Sequence, residues 1–171
     1  IFIMNYAAIK KCDIANGEGV RISLFVSGCT HHCKGCFQPE TWNFDYGNPF
    51  DETTEDELIK ALEPDYIAGL TLLGGEPMEP ENAKRLLPFV KRVRETYPSK
   101  NVWCYSGYLF EELMGREECR KLLELIDVLV DGEFIEEQKN ISLQFKGSEN
   151  QRIIDVTKTL KDGSVVLWNL T

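Results

Sequence analysis

Three cysteines with the spacing C-x3-C-x2-C, Cys29, Cys33 and Cys36, are the residues with the clearest chemical potential. The preceding residues, 21–26, are mainly apolar and of strand length, so they predict a strand that ends just before the cysteines. The cysteines would then share a tight loop at the end of that strand. Cysteine thiolates bind metal ions and clusters, and three of them leave one coordination position open. The spacing therefore predicts a metal or cluster site with room for a further ligand.

Two kinds of site are compatible with three close thiolates. A structural zinc site takes four nitrogen or sulfur ligands, and His31 or His32 could supply the fourth, although both lie awkwardly between two of the cysteines. A four-iron cluster normally takes four cysteines, so a cluster with three leaves one iron open to a small molecule. We favour the cluster and keep zinc as the alternative. The remaining cysteines are scattered and are expected to be ordinary thiols: Cys12, Cys104 and Cys119.

The rest of the chain alternates between predicted strands and helices, and these elements must position the loop that carries Cys29, Cys33 and Cys36. Such alternation predicts a parallel sheet with right-handed crossovers. Stretch 37–50 is rich in aromatic residues and is expected to form an ordered cover, while 13–19 is expected to form a turn. The predicted strands are 20–26, 66–73, 101–105, 128–130 and 165–168. The first predicted helix is capped by Thr53 or Thr54, the second spans about 80–96, and the third spans 109–126 with a break near Gly115. A short helical turn is predicted within 133–139.

Three more turns follow predicted strands directly, as the cysteine loop does. The carboxyl ends of parallel strands share one face of the sheet, and ligands bind there in α/β proteins. We therefore expect the four segments to converge on one site. The three turns are Gly74-Gly75-Glu76-Pro77, Ser106-Gly107 and Asp131-Gly132.

Length and composition limit the remaining possibilities. The 171 residues are 43% hydrophobic and predict a single domain, 1–171. The formal net charge of −9 argues against general binding to nucleic acid or to anionic membranes. No apolar run approaches the roughly 20 residues of a membrane span, and we expect no secretory signal and a cytoplasmic location. Met4 is the expected natural start, which would place residues 1–3 outside the native chain.

The cysteine triplet, together with Gly74-Gly75-Glu76-Pro77, resembles the radical S-adenosylmethionine enzymes. In that superfamily, the open iron of a [4Fe-4S] cluster binds the amino and carboxylate groups of S-adenosylmethionine. The resemblance implies an α/β fold, namely a partial (β/α) barrel with a mostly parallel sheet and helices outside. One departure is Gly35 before the third cysteine, where most of the superfamily has an aromatic residue.

A narrower resemblance, over roughly residues 5–157, is to the glycyl-radical activases of anaerobic ribonucleoside-triphosphate reductases. It implies reductive cleavage of S-adenosylmethionine to a 5′-deoxyadenosyl radical, which takes hydrogen from a glycine of the reductase. An electron donor such as flavodoxin or ferredoxin is implied. An activase of pyruvate formate-lyase and a non-catalytic iron–sulfur electron carrier are the alternatives. The segments that carry the resemblance include Val26–Cys29, Thr41-Trp42, Tyr105–Tyr108, Asp127–Phe134 and Gly147–Arg152.

The superfamily also implies roles for individual residues. Cys29, Cys33 and Cys36 would ligate the cluster, and Gly74, Gly75 and Glu76 would meet the methionine end of the cofactor. Ser106 and Gly107 would lie along its carboxylate or ribose, and Asp131 would accept a hydrogen bond from cofactor or peptide. The residues left without a role are His31, His32, Glu133 and Asn150–Arg152.

Overall fold

One seven-stranded sheet organises the protein, as described by a computed structural model for residues 2–170. The strand order across the sheet is β3-β1-β2-β4-β5-β6-β7. The strands are β1 (Asn5–Asp13), β2 (Val20–Val26), β3 (Asn48–Pro49), β4 (Ile67–Gly74), β5 (Asn101–Tyr105), β6 (Val128–Asp131) and β7 (Arg152–Asp155).

The middle of the sheet is parallel and its two edges are antiparallel. Strands β2, β4, β5 and β6 pair in parallel, as the alternation of strands and helices predicts. In contrast, β1 pairs antiparallel to β2 and β7 pairs antiparallel to β6, so the edges depart from the predicted pattern. Strand β1 was not predicted, because its polar and apolar residues do not alternate cleanly. The fold is therefore mixed α/β with a mostly parallel centre.

Most predicted helices are present, with small changes at their ends. Helix α2 has the predicted bounds, and the predicted break near Gly115 separates α3 from α4. The cap of α1 is Asp51, whose carboxylate accepts from the Thr54 amide, so the predicted cap at Thr53 or Thr54 is wrong. The helices are α1 (Glu52–Ala61), α2 (Pro80–Thr96), α3 (Phe110–Met114), α4 (Glu117–Leu123) and α5 (Val156–Asp162).

One of two predicted segments near the carboxyl end differs from the structure. Residues 165–168 do not form a strand but touch β7 through a single bridge between Leu167 and Ile154. The predicted short helical turn within 133–139 is confirmed as a 3-10 helix, Glu136–Gln138. Among residues 2–170, no helix has both the length and the apolar character needed to span a membrane.

The two faces of the sheet are covered differently. One face packs against the helices through alternating apolar residues such as Leu24, Leu72 and Cys104, which are fully buried. The opposite face carries Trp103 and Val130, packed by partly buried side chains from the carboxyl-terminal third of the chain. No α-helix of residues 2–170 contributes to the apolar cluster on this second face, which holds the site described below.

The close approach of β4 and β5 leaves no room for a side chain at Gly69. A Cβ atom there would lie 1.9 Å from the carbonyl oxygen of Asn101 on the neighbouring strand. We expect Gly69→Ala to lower the free energy of unfolding by about 3 kcal/mol, because backbone in a packed sheet cannot move aside easily. Urea denaturation measures this. The matched control is Gly115→Ala, whose Cβ would meet nothing closer than 3.4 Å; an equal loss in both variants would contradict the steric explanation.

Candidate active site

A cavity of about 550 Å³ opens at the carboxyl ends of the parallel strands, on the face that carries Trp103 and Val130. Residues of all four strand-end segments line it, which confirms their predicted convergence. The lining residues from these segments are Cys29, His31, Cys33 and Cys36, then Gly74, Gly75 and Glu76, then Ser106 and Gly107, and finally Gly132.

The three cysteines enter the cavity as free thiols. Cys29 is buried, whereas Cys33 and Cys36 are partly exposed. Burial raises the pKa of Cys29 to about 12 and, with the added charge of Glu133, raises the pKa of Cys33 to about 11. Since thiolates are the metal-binding form, ligation must release these protons. Three thiols on one cavity wall are a donor set that fits an iron–sulfur cluster.

Other features of the cavity bear on which group it could hold. The Tyr105 hydroxyl is buried, has no hydrogen-bond partner among residues 2–170, and belongs to a side chain that lines the cavity. A polar group on a bound molecule would satisfy this hydroxyl. Within the same residues, no three His, Cys, Asp or Glu side chains are grouped closely enough to hold a single metal ion.

Glu76 joins three of the converging segments through one buried carboxylate. Its Oε1 accepts hydrogen bonds from His31 Nε2 at 2.7 Å and from the Gly107 amide at 2.7 Å. Its Oε2 accepts from the Met78 amide at 2.9 Å. The side chain is 1% exposed, so these donors supply the stabilisation that water would otherwise give to the charge. Glu76 lines the cavity as predicted, and it also fixes the geometry of the cavity wall.

His31, which had no predicted role, connects Glu76 to the cysteine loop. Its other ring nitrogen, Nδ1, lies 3.4 Å from Glu133 Oε2, and the Cys33 thiol donates to the same oxygen at 3.6 Å. Burial lowers the pKa of His31, but the hydrogen bond and charge of Glu76, with the charge of Glu133, outweigh it and leave this pKa raised. A chain of contacts therefore runs from Glu76 through His31 and Glu133 to Cys33.

The glycines of the Gly74-Gly75 turn allow it to pack against the cysteine loop. Gly74 has a φ of +109°, and a Cβ there would lie 2.6 Å from the Val26 amide nitrogen. A Cβ at Gly75 would lie 2.7 Å from the Gly28 carbonyl oxygen. The Gly75 amide donates to the Val26 carbonyl at 2.8 Å, which fixes the turn beside the loop. Both glycines also line the cavity, where the missing side chains leave space for a ligand.

Ser106 and Gly107 form a tight turn at the end of β5. The Ser106 hydroxyl accepts from the Tyr108 amide at 3.0 Å, and the Gly107 amide is already bound to Glu76. Both residues line the cavity, so their predicted position near a ligand is compatible with the structure. A Cβ at Gly107 would lie 2.7 Å from the His31 ring, so glycine is needed for this contact.

The structure does not bring Asp131 to the cavity. This carboxylate is fully buried, and Arg152 donates to its two oxygens at 3.0 and 2.5 Å. The Phe110 amide adds a third hydrogen bond at 2.8 Å. Its neighbour Gly132 lines the cavity instead. The geometry is that of an internal ion pair, and it gives no support to the prediction that Asp131 accepts a hydrogen bond from cofactor or peptide.

We expect Asp131→Ala to lower the free energy of unfolding by about 2 kcal/mol. Removing one partner of a buried ion pair costs about 3–5 kcal/mol, and the smaller value reflects the Arg152 side chain, which is 32% exposed. Thermal denaturation of the metal-free protein measures this loss. The control, Glu111→Ala, removes the exposed partner of the same arginine and should cost less than about 1 kcal/mol. An unchanged stability for Asp131→Ala would contradict the structural role.

The segment Asn150–Arg152 folds back on the turn after β6. Asn150 donates to the Glu133 carbonyl at 2.8 Å, and Gln151 donates to the Gly132 carbonyl at 2.9 Å. Gln151 also lines the cavity. These polar residues therefore shape the cavity wall that β6 contributes.

Two buried residues of the site were missed from the sequence. Glu79 is 3% exposed and accepts hydrogen bonds from the amide and hydroxyl of Thr30. Asn82 is fully buried and donates to the carbonyl oxygens of Ser27 and Glu76 at 3.1 and 3.0 Å. The available indication was a second acidic residue three positions after Glu76, directly before the proline that begins α2.

Comparisons with known proteins agree with a cluster site in this chain. A model of the 4Fe-4S single cluster domain matches residues 15–154. The anaerobic ribonucleoside-triphosphate reductase-activating protein of Haemophilus influenzae is 47% identical over 152 residues, which cover 88% of this chain and 97% of the relative. The protein of the same name from Pasteurella multocida is 46% identical over 157 residues, with 91% and 99% covered. The one from Enterobacteria phage T4 is 40% identical over 152 residues, with 88% and 93% covered. The chain belongs to the family of anaerobic ribonucleoside-triphosphate reductase-activating proteins.

Proposed function

We propose that the chain is a glycyl-radical activase whose protein substrate is an anaerobic ribonucleoside-triphosphate reductase. The observation that carries the proposal is the convergence of three thiols and three strand-end turns on one cavity. The names of the relatives supply the partner. The α-helices packed on one face of the sheet and the cavity on the other face favour the partial barrel of the radical S-adenosylmethionine enzymes.

In this proposal, Cys29, Cys33 and Cys36 hold a [4Fe-4S] cluster at the carboxyl ends of the parallel strands. When bound, the cluster and S-adenosylmethionine would supply a one-electron cleavage that yields a hydrogen-abstracting 5′-deoxyadenosyl group. The chain contributes position: the cofactor carries the difficult chemistry, and the protein orients it and limits the access of water. An electron donor such as flavodoxin or ferredoxin belongs to the same proposal.

In the proposed complex, both backbone and charged groups of the cavity wall would contact S-adenosylmethionine. Gly74 and Gly75 would leave the space for the methionine end, and Glu76 would supply a negative charge near its ammonium group. Ser106 and Gly107 would line the path of the carboxylate or ribose. The unpartnered Tyr105 hydroxyl offers one hydrogen bond to the bound molecule.

The partner's glycine must reach the interior of the cavity for hydrogen transfer, within a near-attack distance of about 3–3.5 Å. Two exposed apolar side chains line the cavity, Phe37 at 68% and Ile141 at 93% exposure. Their exposure is compatible with a cavity that a protein segment enters and covers.

The test is anaerobic reconstitution with iron and sulfide, followed by reduction in the presence of S-adenosylmethionine, with and without the reductase. We expect 5′-deoxyadenosine in both mixtures and a glycyl radical, seen by electron paramagnetic resonance, only with the reductase. If S-adenosylmethionine is cleaved but the glycyl radical forms on pyruvate formate-lyase and not on the reductase, pyruvate formate-lyase would be the partner. A redox-active cluster that does not cleave S-adenosylmethionine would indicate an electron carrier. Uptake of zinc but no iron would contradict the assignment of an iron–sulfur cluster.

A further inference from the structure

Glu79 holds a buried negative charge whose hydrogen bonds all go to other parts of the site. Its Oε2 accepts from the Thr30 amide at 2.9 Å. Its Oε1 accepts from the Thr30 hydroxyl at 3.2 Å and from the Tyr108 hydroxyl at 2.5 Å. A carboxylate that is 3% exposed is stable only when donors replace its water. Thr30 and Tyr108 are therefore tied together through this one side chain.

The position of Glu79 makes this use of its side chain unusual. It is the N-cap residue of α2, where an acidic side chain ordinarily accepts from the first turn of its own helix. Glu79 makes no such bond, and α2 begins with Pro80, which has no amide hydrogen to offer. The carboxylate is directed away from its helix and toward the loop that carries the cysteines. Helix capping therefore does not explain its burial.

The side chains of His31 and Cys33 are held by Glu76 and Glu133, but the backbone of the loop between Cys29 and Cys36 has few fixed points. No strand or helix covers these residues, and His32 has a left-handed backbone with a φ of +50°. The Cys29 amide donates to the Trp42 carbonyl at 3.2 Å and the Cys36 amide to the Cys33 carbonyl at 3.1 Å. Between them, the Thr30 amide is held by Glu79. The residue next to Cys29 is thus fixed by a charge-assisted hydrogen bond, which is stronger than a neutral one.

We propose that Glu79 is a positioning residue that pre-arranges the cysteine loop before any cluster is present. This inference rests on the proposed role of the three cysteines as cluster ligands. Thr30 lies directly after Cys29, so a fixed Thr30 amide limits the directions that the Cys29 side chain can take. A loop that is already ordered loses less conformational freedom when it binds a cluster. Glu79 would therefore favour both assembly and retention of the cluster.

The first test uses Glu79→Gln in the cluster-free protein, with hydrogen exchange at the Thr30 amide as the readout. A neutral amide side chain accepts more weakly, so we expect exchange there to be at least about tenfold faster. Exchange at Leu72, in the centre of β4, should stay unchanged, because a general loss of stability would accelerate both amides. Glu81→Gln, at an exposed position of the same helix, is the matched control. Unchanged exchange at Thr30 would overturn the inference.

The second test measures retention of iron after reconstitution. A chelator should remove iron from Glu79→Gln several-fold faster than from the unmodified protein and from Glu81→Gln. Tyr108→Phe removes one bond to Glu79 but keeps both bonds to Thr30, so its iron loss should be smaller than that of Glu79→Gln. If Glu79→Gln does not fold, Glu79→Asp keeps the charge but shortens the side chain by one methylene, so Thr30 exchange should again be faster, and unchanged exchange would contradict the inference. The exchange readout needs neither cluster nor S-adenosylmethionine, so it succeeds or fails independently of the proposed reaction.

Discussion

Replacing Cys33 with alanine is expected to abolish cleavage of S-adenosylmethionine and to leave the fold intact. In the proposed site, the cluster has only three protein thiolates, and loss of one leaves two irons without a protein ligand. Cys33 is partly exposed and lies outside both apolar cores, so removal of its sulfur opens no internal cavity. The measurement is 5′-deoxyadenosine formed by the reconstituted and reduced protein, which should fall to the level of a mixture without protein.

The matched control is Cys12→Ala, which removes an exposed thiol on β1, away from the cysteine loop. Cleavage and iron content should be unchanged in this variant. Both variants should unfold within about 0.5 kcal/mol of the unmodified protein, as is usual for substitutions outside special features. Cleavage retained by Cys33→Ala would show that Cys33 is not a cluster ligand and would require a different ligand set.

The parts of the fold that positioned the site were predictable because local sequence and topology agree there. Strand β2, helix α2 and strand β5 were predicted with the bounds that the structure has. Each has a strong apolar pattern and ends in glycine, proline or a polar turn, so local preferences identify it. Parallel strands then bring their carboxyl ends together whatever the details of the loops. The convergence of the cysteine loop with Gly74–Glu76 and Ser106–Gly107 follows from this topology.

The contacts that fix the site were not predictable, because they depend on pairings between distant residues. Glu79 is 49 positions from Thr30, and His31 is 45 positions from Glu76. The place of Glu79 before Pro80 is a weak local indication, and it does not identify Thr30 as a partner or separate a buried acidic residue from the exposed ones that are common on a chain of net charge −9. Asp131 illustrates the same difficulty, because its position after a strand indicated a ligand contact. The tertiary partner Arg152 turned it into an internal ion pair.

Strand β1 and the antiparallel edge β7 show a second limit of the sequence. Beyond β1 only the two-residue strand β3 pairs, and the residues of β1 are largely intermediate or exposed, so its apolar pattern is weak. Direction along the sheet also depends on connections, and the segment between β6 and β7 contains only a short 3-10 helix. A crossover between parallel neighbours usually contains an α-helix, and residues 132–151 form none. The prediction of parallel pairing is therefore correct only for strands that are separated by helices in the sequence.

Replacing Glu76 with alanine is expected to damage both stability and catalysis, more than any other change of a charged residue in the cavity wall. The substitution leaves three donors without their acceptor: His31 Nε2 and the amides of Gly107 and Met78. Each buried and unsatisfied donor costs about 1–3 kcal/mol. Since the cavity admits water to some of them, we expect a total loss of about 3–5 kcal/mol in the free energy of unfolding.

The more informative variant is Glu76→Gln, which has nearly the same shape. One carbonyl oxygen remains and can accept from Gly107 and His31 or from Met78, but the amide nitrogen then faces the other donor. We expect about half the loss of stability, near 2 kcal/mol, and a folded protein at low temperature. Cleavage of S-adenosylmethionine should fall at least about tenfold with a raised KM, since the charge near the ammonium group of the cofactor is lost.

Glu124→Gln, at an exposed position after α4, is the control for loss of one negative charge and should change neither property. Chemical denaturation gives the stability, and cleavage measured well below the melting temperature separates catalysis from unfolding. If Glu76→Gln lost stability but kept its KM, Glu76 would serve only to join His31, Gly107 and Met78. We expect stability and cofactor binding to be lost together, because the carboxylate that lines the cavity also accepts the hydrogen bonds of His31, Gly107 and Met78.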